Sequence, residues 1–118
     1  MNNYKELGVW QKAVSLAIDA YKLTAAFPKA ERYGLTIQIR KAATSIPANI
    51  AEGWGRGSTK EYIQFLLIAR GSLMEFETHL IICHKLQYVN ENEFGGFKPR
   101  VEEIGKMLNG LIQSLRGH

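Results

Sequence analysis

Apolar residues return along this chain every third or fourth position in four successive stretches, and nowhere do they alternate as a strand would require. In the first stretch Trp10, Ala13, Val14, Ala17, Ile18, Tyr21 and Thr24 form one helical stripe, with Asn2 or Asn3 placed to cap it. Phe27-Pro28 stops it, because the residue before a proline is driven out of the α region, so the expected helix covers roughly 5–26. A second helix restarts near Lys29–Glu31 with Pro28 at its first turn. Its core positions are Leu35, Ile39, Ala42, Ile46, Ile50 and Gly53, at intervals of 4, 3, 4, 4 and 3. Pro47 removes the bond to the carbonyl of Ala43 and should kink this helix. A break, with Ser45 capping a new short helix, is the alternative. The register carries through the proline, which favours a kinked but continuous helix.

Gly53 suits the residue just past a helix end, and Ser58 with Glu61 three positions later has the form of a capping box. The turn is then Gly53–Gly57, short enough to make the second and third helices antiparallel neighbours. The third helix runs from Thr59 to about Gln87 with core positions Tyr62, Phe65, Ala69, Ser72 or Leu73, Phe76, Leu80 and Cys83. Ile63, Leu66, Leu67, Ile68, Ile81 and Ile82 widen its apolar surface beyond one stripe, which implies burial on more than one face and hence a subunit interface. Asn90–Gly96 has turn chemistry. Phe97, Val101, Ile104, Leu108, Leu111 and Leu115 then follow a regular heptad. Four helices of similar length predict an all-α fold, an antiparallel up-down-up-down four-helix bundle forming a single domain over residues 1–118.

Antiparallel geometry about the Gly53–Gly57 turn places Ala42 and Ala43 opposite Ala69 and Gly71, where the backbones could approach closely. It also brings Arg40 level with Ser72 and Glu75, predicting an Arg40–Glu75 ion pair. A polar stripe of Gln38, Ser45, Asn49 and Glu52 flanks the apolar seam of the second helix and needs partners. Glu52 sits in a last turn, where the helix dipole disfavours a carboxylate, so Lys60, Tyr62 or a neighbouring subunit should engage it.

Composition adds limits. A chain of 118 residues, 46% hydrophobic and 22% charged, can bury one core without cross-links. The single cysteine, Cys83, cannot form an internal disulfide and points to a reducing compartment. There is no apolar run behind a basic start and none long enough to span a bilayer, so a cytoplasmic protein without membrane contact is expected. Charge becomes informative once located. Lys29–Arg70 holds seven basic residues against three acidic ones, and this surplus of four is the whole net charge of +4. A polyanion partner is the expectation.

The chemistry for catalysis is absent from the pattern. Glu75 and His79 are four apart rather than three and have no counterpart on another helix, which excludes the di-iron bundle arrangement. His79 and His84 are five apart and point in different directions, so they read as interfacial or hydrogen-bonded histidines. Cys83 reads as a small core residue rather than a nucleophile. A non-enzymatic protein is expected, with no cofactor, metal or small-molecule substrate. Gly53-x-Gly55-x-Gly57 has neither the strand of a dinucleotide fold nor the Gly-Lys-Ser/Thr of a phosphate loop. Even so, the N–H groups opening the third helix attract anions, with Arg56 and Lys60 beside them. Trp54 offers a face for base stacking, or else packs over the bundle end or a neighbouring subunit. Arg40, Lys41, Trp54, Arg56 and Lys60 are the candidate nucleic-acid contacts.

The string SIPANIAEGWGR (45–56), preceded by Phe27-Pro-x-x-Glu-x-Tyr-Gly-Leu35 and Gln38-Ile-Arg-Lys-Ala42 and followed by Ile68-Ala-Arg-Gly-Ser-Leu-Met-Glu75, resembles the bacterial 23S rRNA intervening-sequence protein family. More distantly it is similar to the accessory variability determinant of diversity-generating retroelements. The resemblance implies a homopentameric four-helix-bundle protein with a basic surface that binds RNA or DNA, with no established catalytic activity. Arg40, Ser45, Asn49, Glu52, Gly53, Arg56, Gly71, Ser72 and Glu75 stand where the family motif has them; Arg40, Ser45, Asn49, Glu52, Ser72 and Glu75 would form a structural polar motif. Two expectations follow: a nucleic-acid-binding homo-oligomer, or a protein-interaction adaptor, an accessory subunit to a nucleic-acid enzyme with no nucleic-acid contact of its own.

Overall fold

The computed structural model describes residues 3–117, and among these it contains helices and no strand. Four α-helices, α1 (Gly8–Thr24), α2 (Leu35–Gly55), α3 (Thr59–Lys85) and α4 (Glu91–Arg116), run up and down in a body of 46 × 24 × 20 Å. At one end the α1–α2 and α3–α4 connections are tied together, Tyr88 donating its hydroxyl to the Glu31 carboxylate at 3.0 Å. At the other, Gly8 lies against Met107 and the α2–α3 turn closes. The core is fully buried Leu16, Ile39, Ile46, Ile50, Leu66, Phe76, Leu80, Ile104 and Leu108. Each such side chain contributes about 1.5–3 kcal/mol by leaving water. The heptad of α4 holds through Phe97, Val101, Ile104 and Leu108, with Phe97 packed 6.0 Å from Phe76, ring centre to ring centre; beyond them Ile112 is buried in place of Leu111, and Leu111 and Leu115 are half-buried.

α2 continues through Pro47, which is itself buried. Its predicted seam is inside from Ile39 on: Ile39, Ala42, Ile46, Ile50 and Gly53 are buried, and Leu35 at its start is half-buried. Pro28 opens a short 3₁₀ turn at Lys29–Glu31, and α2 proper begins at Leu35, whose N–H donates to the Glu31 carboxylate at 3.2 Å.

Several expectations are corrected. α1 is rotated from the predicted stripe: Val9, Ala13, Leu16, Ala17, Ala20 and Thr24 are buried, whereas Ile18 and Tyr21 are 52% and 45% exposed. The larger side chains suggest the stripe, but three alanines allow the helix to approach its neighbours on the adjacent face. α1 also starts at Gly8, because the chain first makes a 3₁₀ turn, Tyr4–Glu6, capped by Asn3; Asn2 lies outside the described residues. Asn90–Gly96 is not a turn. Asn90 caps α4 in a reciprocal capping box with Glu93, so the helix begins at Glu91 and runs through Pro99. At the start of α3 only half of the expected box forms. The Ser58 hydroxyl accepts from the Glu61 N–H at 3.2 Å, while the Glu61 carboxylate returns to the Ser58 hydroxyl instead of its backbone.

The two glycines expected at special positions exchange roles with others. Gly53 lies inside α2, and a Cβ there would meet the Phe65 Cβ at 2.7 Å and the Tyr62 carbonyl at 3.2 Å. The close approach of α2 to α3 is therefore here, not at Gly71, where an added Cβ meets nothing within 4 Å. Gly57, at φ +81°, supplies the left-handed residue of the turn.

Candidate nucleic-acid interface

The five candidate contacts do not converge. Arg40 and Lys41 lie in the first third of α2, whereas Trp54, Arg56 and Lys60 lie around its far end. Sixteen residues at 1.5 Å each put Arg40 and Arg56 roughly 24 Å apart along the helix.

At the far end Trp54 is half-buried and meets Tyr62 edge to face, ring centres 6.1 Å apart. Arg56 is held on two sides, by an ion pair to Glu52 at 3.2 Å one helical turn earlier and by the Phe65 ring beneath its guanidinium. Glu52 thus finds its partner in Arg56 rather than in Lys60 or Tyr62, because the cation offsets the carboxylate at the helix end. Lys60 is exposed, with no carboxylate on it among the described residues. The Tyr62 hydroxyl is buried without a hydrogen-bond partner, and burial raises its pKa.

At the near end Arg40 forms no ion pair with Glu75. Its guanidinium turns the other way, donating to the Thr24 hydroxyl at 2.7 Å and the Tyr21 carbonyl at 3.3 Å, with the Tyr21 ring 4.5 Å away. Position 40 sits on the flank of α2 that faces α1, which the pairing of α2 with α3 alone could not reveal. Beside it opens a cavity of about 440 Å³ at the corner between α1 and α2, which Arg40 lines together with Lys29, Arg32, Thr24 and Thr36. Lys29 and Arg32 belong to the located charge surplus, yet a connection separates them from Arg40 in sequence and no spacing links the three.

Half of the polar motif, Ser45, Asn49 and Glu52, finds its partners along α2 and its C-cap. Ser45 donates to the Lys41 carbonyl at 2.8 Å and Asn49 to the Ser45 carbonyl at 2.7 Å. Ser72 is buried and Glu75 exposed. Lys41 is exposed, and its side chain has no carboxylate partner among the described residues. On α3, His84 meets the Glu91 carboxylate at 2.8 Å and stacks on Phe94, while the buried Nδ1 of His79 has no partner. No group of three metal-ligating side chains occurs among the described residues. Cys83 is fully buried, and burial, with the Glu31 carboxylate adding to it, pushes its thiol up to about 11. That thiol is held as a core group.

Few of the cations are paired to carboxylates among the described residues. Outside the surplus segment Lys12 pairs with Glu103 at 3.2 Å and Arg100 with Asp19 at 2.9 Å. Of the seven cations between Lys29 and Arg70, Arg56 is the one paired to a carboxylate among the described residues. The sequence surplus therefore survives folding as uncompensated positive charge on α2 and the first half of α3.

No described helix is long and apolar enough to cross a membrane. A search of curated proteins finds no match. Among solved structures the chain is similar to a protein of unknown function from the S23 ribosomal protein family of Bacteroides thetaiotaomicron. The two share 26% identity and superpose with a TM-score of 0.79 over 88% of this chain and 97% of that one. The family model for the 23S rRNA-intervening sequence protein matches residues 5–110. The chain belongs to the 23S rRNA-intervening sequence protein family.

Proposed function

We propose that the protein is a non-enzymatic homo-oligomer that binds RNA or DNA through the positive surface of α2 and the start of α3. The observation carrying this reading is that the whole net surplus lies in Lys29–Arg70, where six of the seven cations are without carboxylate partners among the described residues, while acidic and basic residues elsewhere are equal in number. Surface charge of one sign raises the local concentration of a polyanion and releases its counterions on contact. Membership of a family named for an rRNA insertion makes RNA the first partner to test. Retention of a generic RNA should fall steeply with salt. The double variant Lys41→Glu with Lys60→Glu should weaken it further and flatten the slope of log affinity against log salt by roughly 0.7–0.9 for each phosphate no longer neutralised. Retention that ignores both salt and these charges overturns the reading.

Exposed apolar side chains support the oligomer. On the solvent side of α3, Ile68, Ile82 and Leu86 share one flank and Met74 and Ile81 the other, all between 37% and 57% exposed. Across the molecule Ile18, Tyr21 and Pro47 line an apolar groove of about 440 Å³ between α1 and α2. A ridge and a groove on different faces suit a head-to-tail arrangement of copies, the kind that closes into a ring such as a pentamer. The same exposed surface favours a second reading, an adaptor whose partner is another protein. That version expects no salt-dependent retention of nucleic acid.

A further inference from the structure

We propose that the corner between α1 and α2 seats a phosphate monoester, the phosphorylated end of a nucleic-acid strand. This rests on the reading of the protein as a nucleic-acid binder and gives one part of its surface a specific task.

The corner is concave, partly built of buried groups, and brings three cations of the surplus to one cavity. Arg40 is half-buried, yet its partners are a hydroxyl and a carbonyl, both neutral. A guanidinium carries five N–H donors, and the two bonds it makes leave the others free. A cation withdrawn from water without a counter-charge favours an anion beside it. Thr36, only 8% exposed, lines the same cavity, and its hydroxyl has no hydrogen-bond partner among the described residues. That hydroxyl is left free to donate to an anion in the cavity. Thr36 also lies in the first turn of α2, where backbone N–H groups lack intrahelical acceptors. Lys29 and Arg32 complete the wall, both exposed and without carboxylate partners. The nearest carboxylate in sequence, Glu31, does not line the cavity. It is committed to the Leu35 N–H and the Tyr88 hydroxyl.

Charge selects the ligand. An internal phosphodiester brings one negative charge, whereas a monoester brings about −1.5 to −2 at neutral pH and three acceptor oxygens. Three cations and a waiting hydroxyl match the second. The volume of about 440 Å³ exceeds what a bare phosphate fills, and Phe27 and Ile37 give the remainder an apolar wall for the attached nucleoside.

The test compares one RNA oligonucleotide carrying a 5′-phosphate, a 3′-phosphate or neither, on the full chain, with adenosine monophosphate and inorganic phosphate as separate arms. A phosphorylated end should bind about tenfold more tightly than the hydroxyl-ended strand, the scale of a few charge-assisted hydrogen bonds. Thr36→Val should erase most of that preference while leaving the hydroxyl-ended strand bound as before, and Arg32→Gln should erase it while weakening the hydroxyl-ended strand only as much as Lys60→Gln does. Lys60→Gln should weaken all three strands alike. Equal binding of all three strands overturns the seat and leaves the general reading standing. If no strand is retained, the general reading falls. In that case saturable binding of adenosine monophosphate or phosphate, abolished in Arg32→Gln, supports a seat for a free monoester, and its absence overturns the seat as well.

Discussion

Gly53 carries a larger structural burden than any other glycine in the chain. Its missing Cβ is the space into which Phe65 and the Tyr62 carbonyl pack. Gly53→Ala should cost about 1–3 kcal/mol through overpacking, measured by urea unfolding. Gly55→Ala, two residues on in the same helix with nothing within 4 Å, should be neutral or stabilise by up to about 1 kcal/mol. The sequence marks both glycines but cannot rank them, because a helix end and a close approach both ask for the absence of a side chain. Arg40 shows the same difficulty for a long side chain: antiparallel pairing brings Glu75 level with it, while its guanidinium donates to Thr24 on α1. Cys83 is legible as core, and its environment adds a pH dependence. Its folded-state pKa is raised from 9.0 to about 11, so a stabilising contribution fully present below pH 9 is lost as pH rises through 11. Tyr62 and Tyr88, raised from 10.0, act in the same direction. Urea midpoints should decline over this range, and Cys83→Ala should decline less steeply than the parent.

Among the elements, periodicity reveals the helices and their buried faces, except in α1, where the bulkiest side chains are not the buried ones. Boundaries are harder. A cluster of Asn, Glu and Gly near 90–96 has the composition of a turn, and what makes it helical is the reciprocal pair of hydrogen bonds between Asn90 and Glu93, 2.8 and 3.0 Å long. Asn90→Ala should therefore lower stability by about 1 kcal/mol. Ser58→Ala should cost less, since its box lacks the return bond to the backbone. Thermal unfolding of the two variants side by side checks the order.

For the molecule as a whole, the sequence locates the charge and the excess of apolar surface but not their arrangement. Arg40 and Lys41 belong to one end of α2, Arg56 and Lys60 to the other, and the concave corner formed by Lys29, Arg32 and Arg40 exists only after the chain turns at Pro28. The exposed isoleucines of α3 give the oligomer a direct check. Ile81→Glu with Ile82→Glu should convert the assembly to monomers in native mass spectrometry while helical circular dichroism stays unchanged. A parent protein already monomeric at micromolar concentration overturns the oligomer. The unbroken course of α2 through Pro47 has one more consequence, for length. It makes the helix a fixed ruler of roughly 24 Å between Arg40 and Arg56, equal to about seven nucleotides of a stacked strand at 3.4 Å each. A strand held at the α1–α2 corner would reach the opposite end of the same subunit only beyond that length, so a decanucleotide should bridge both ends of one copy of the protein and a tetranucleotide should occupy only one.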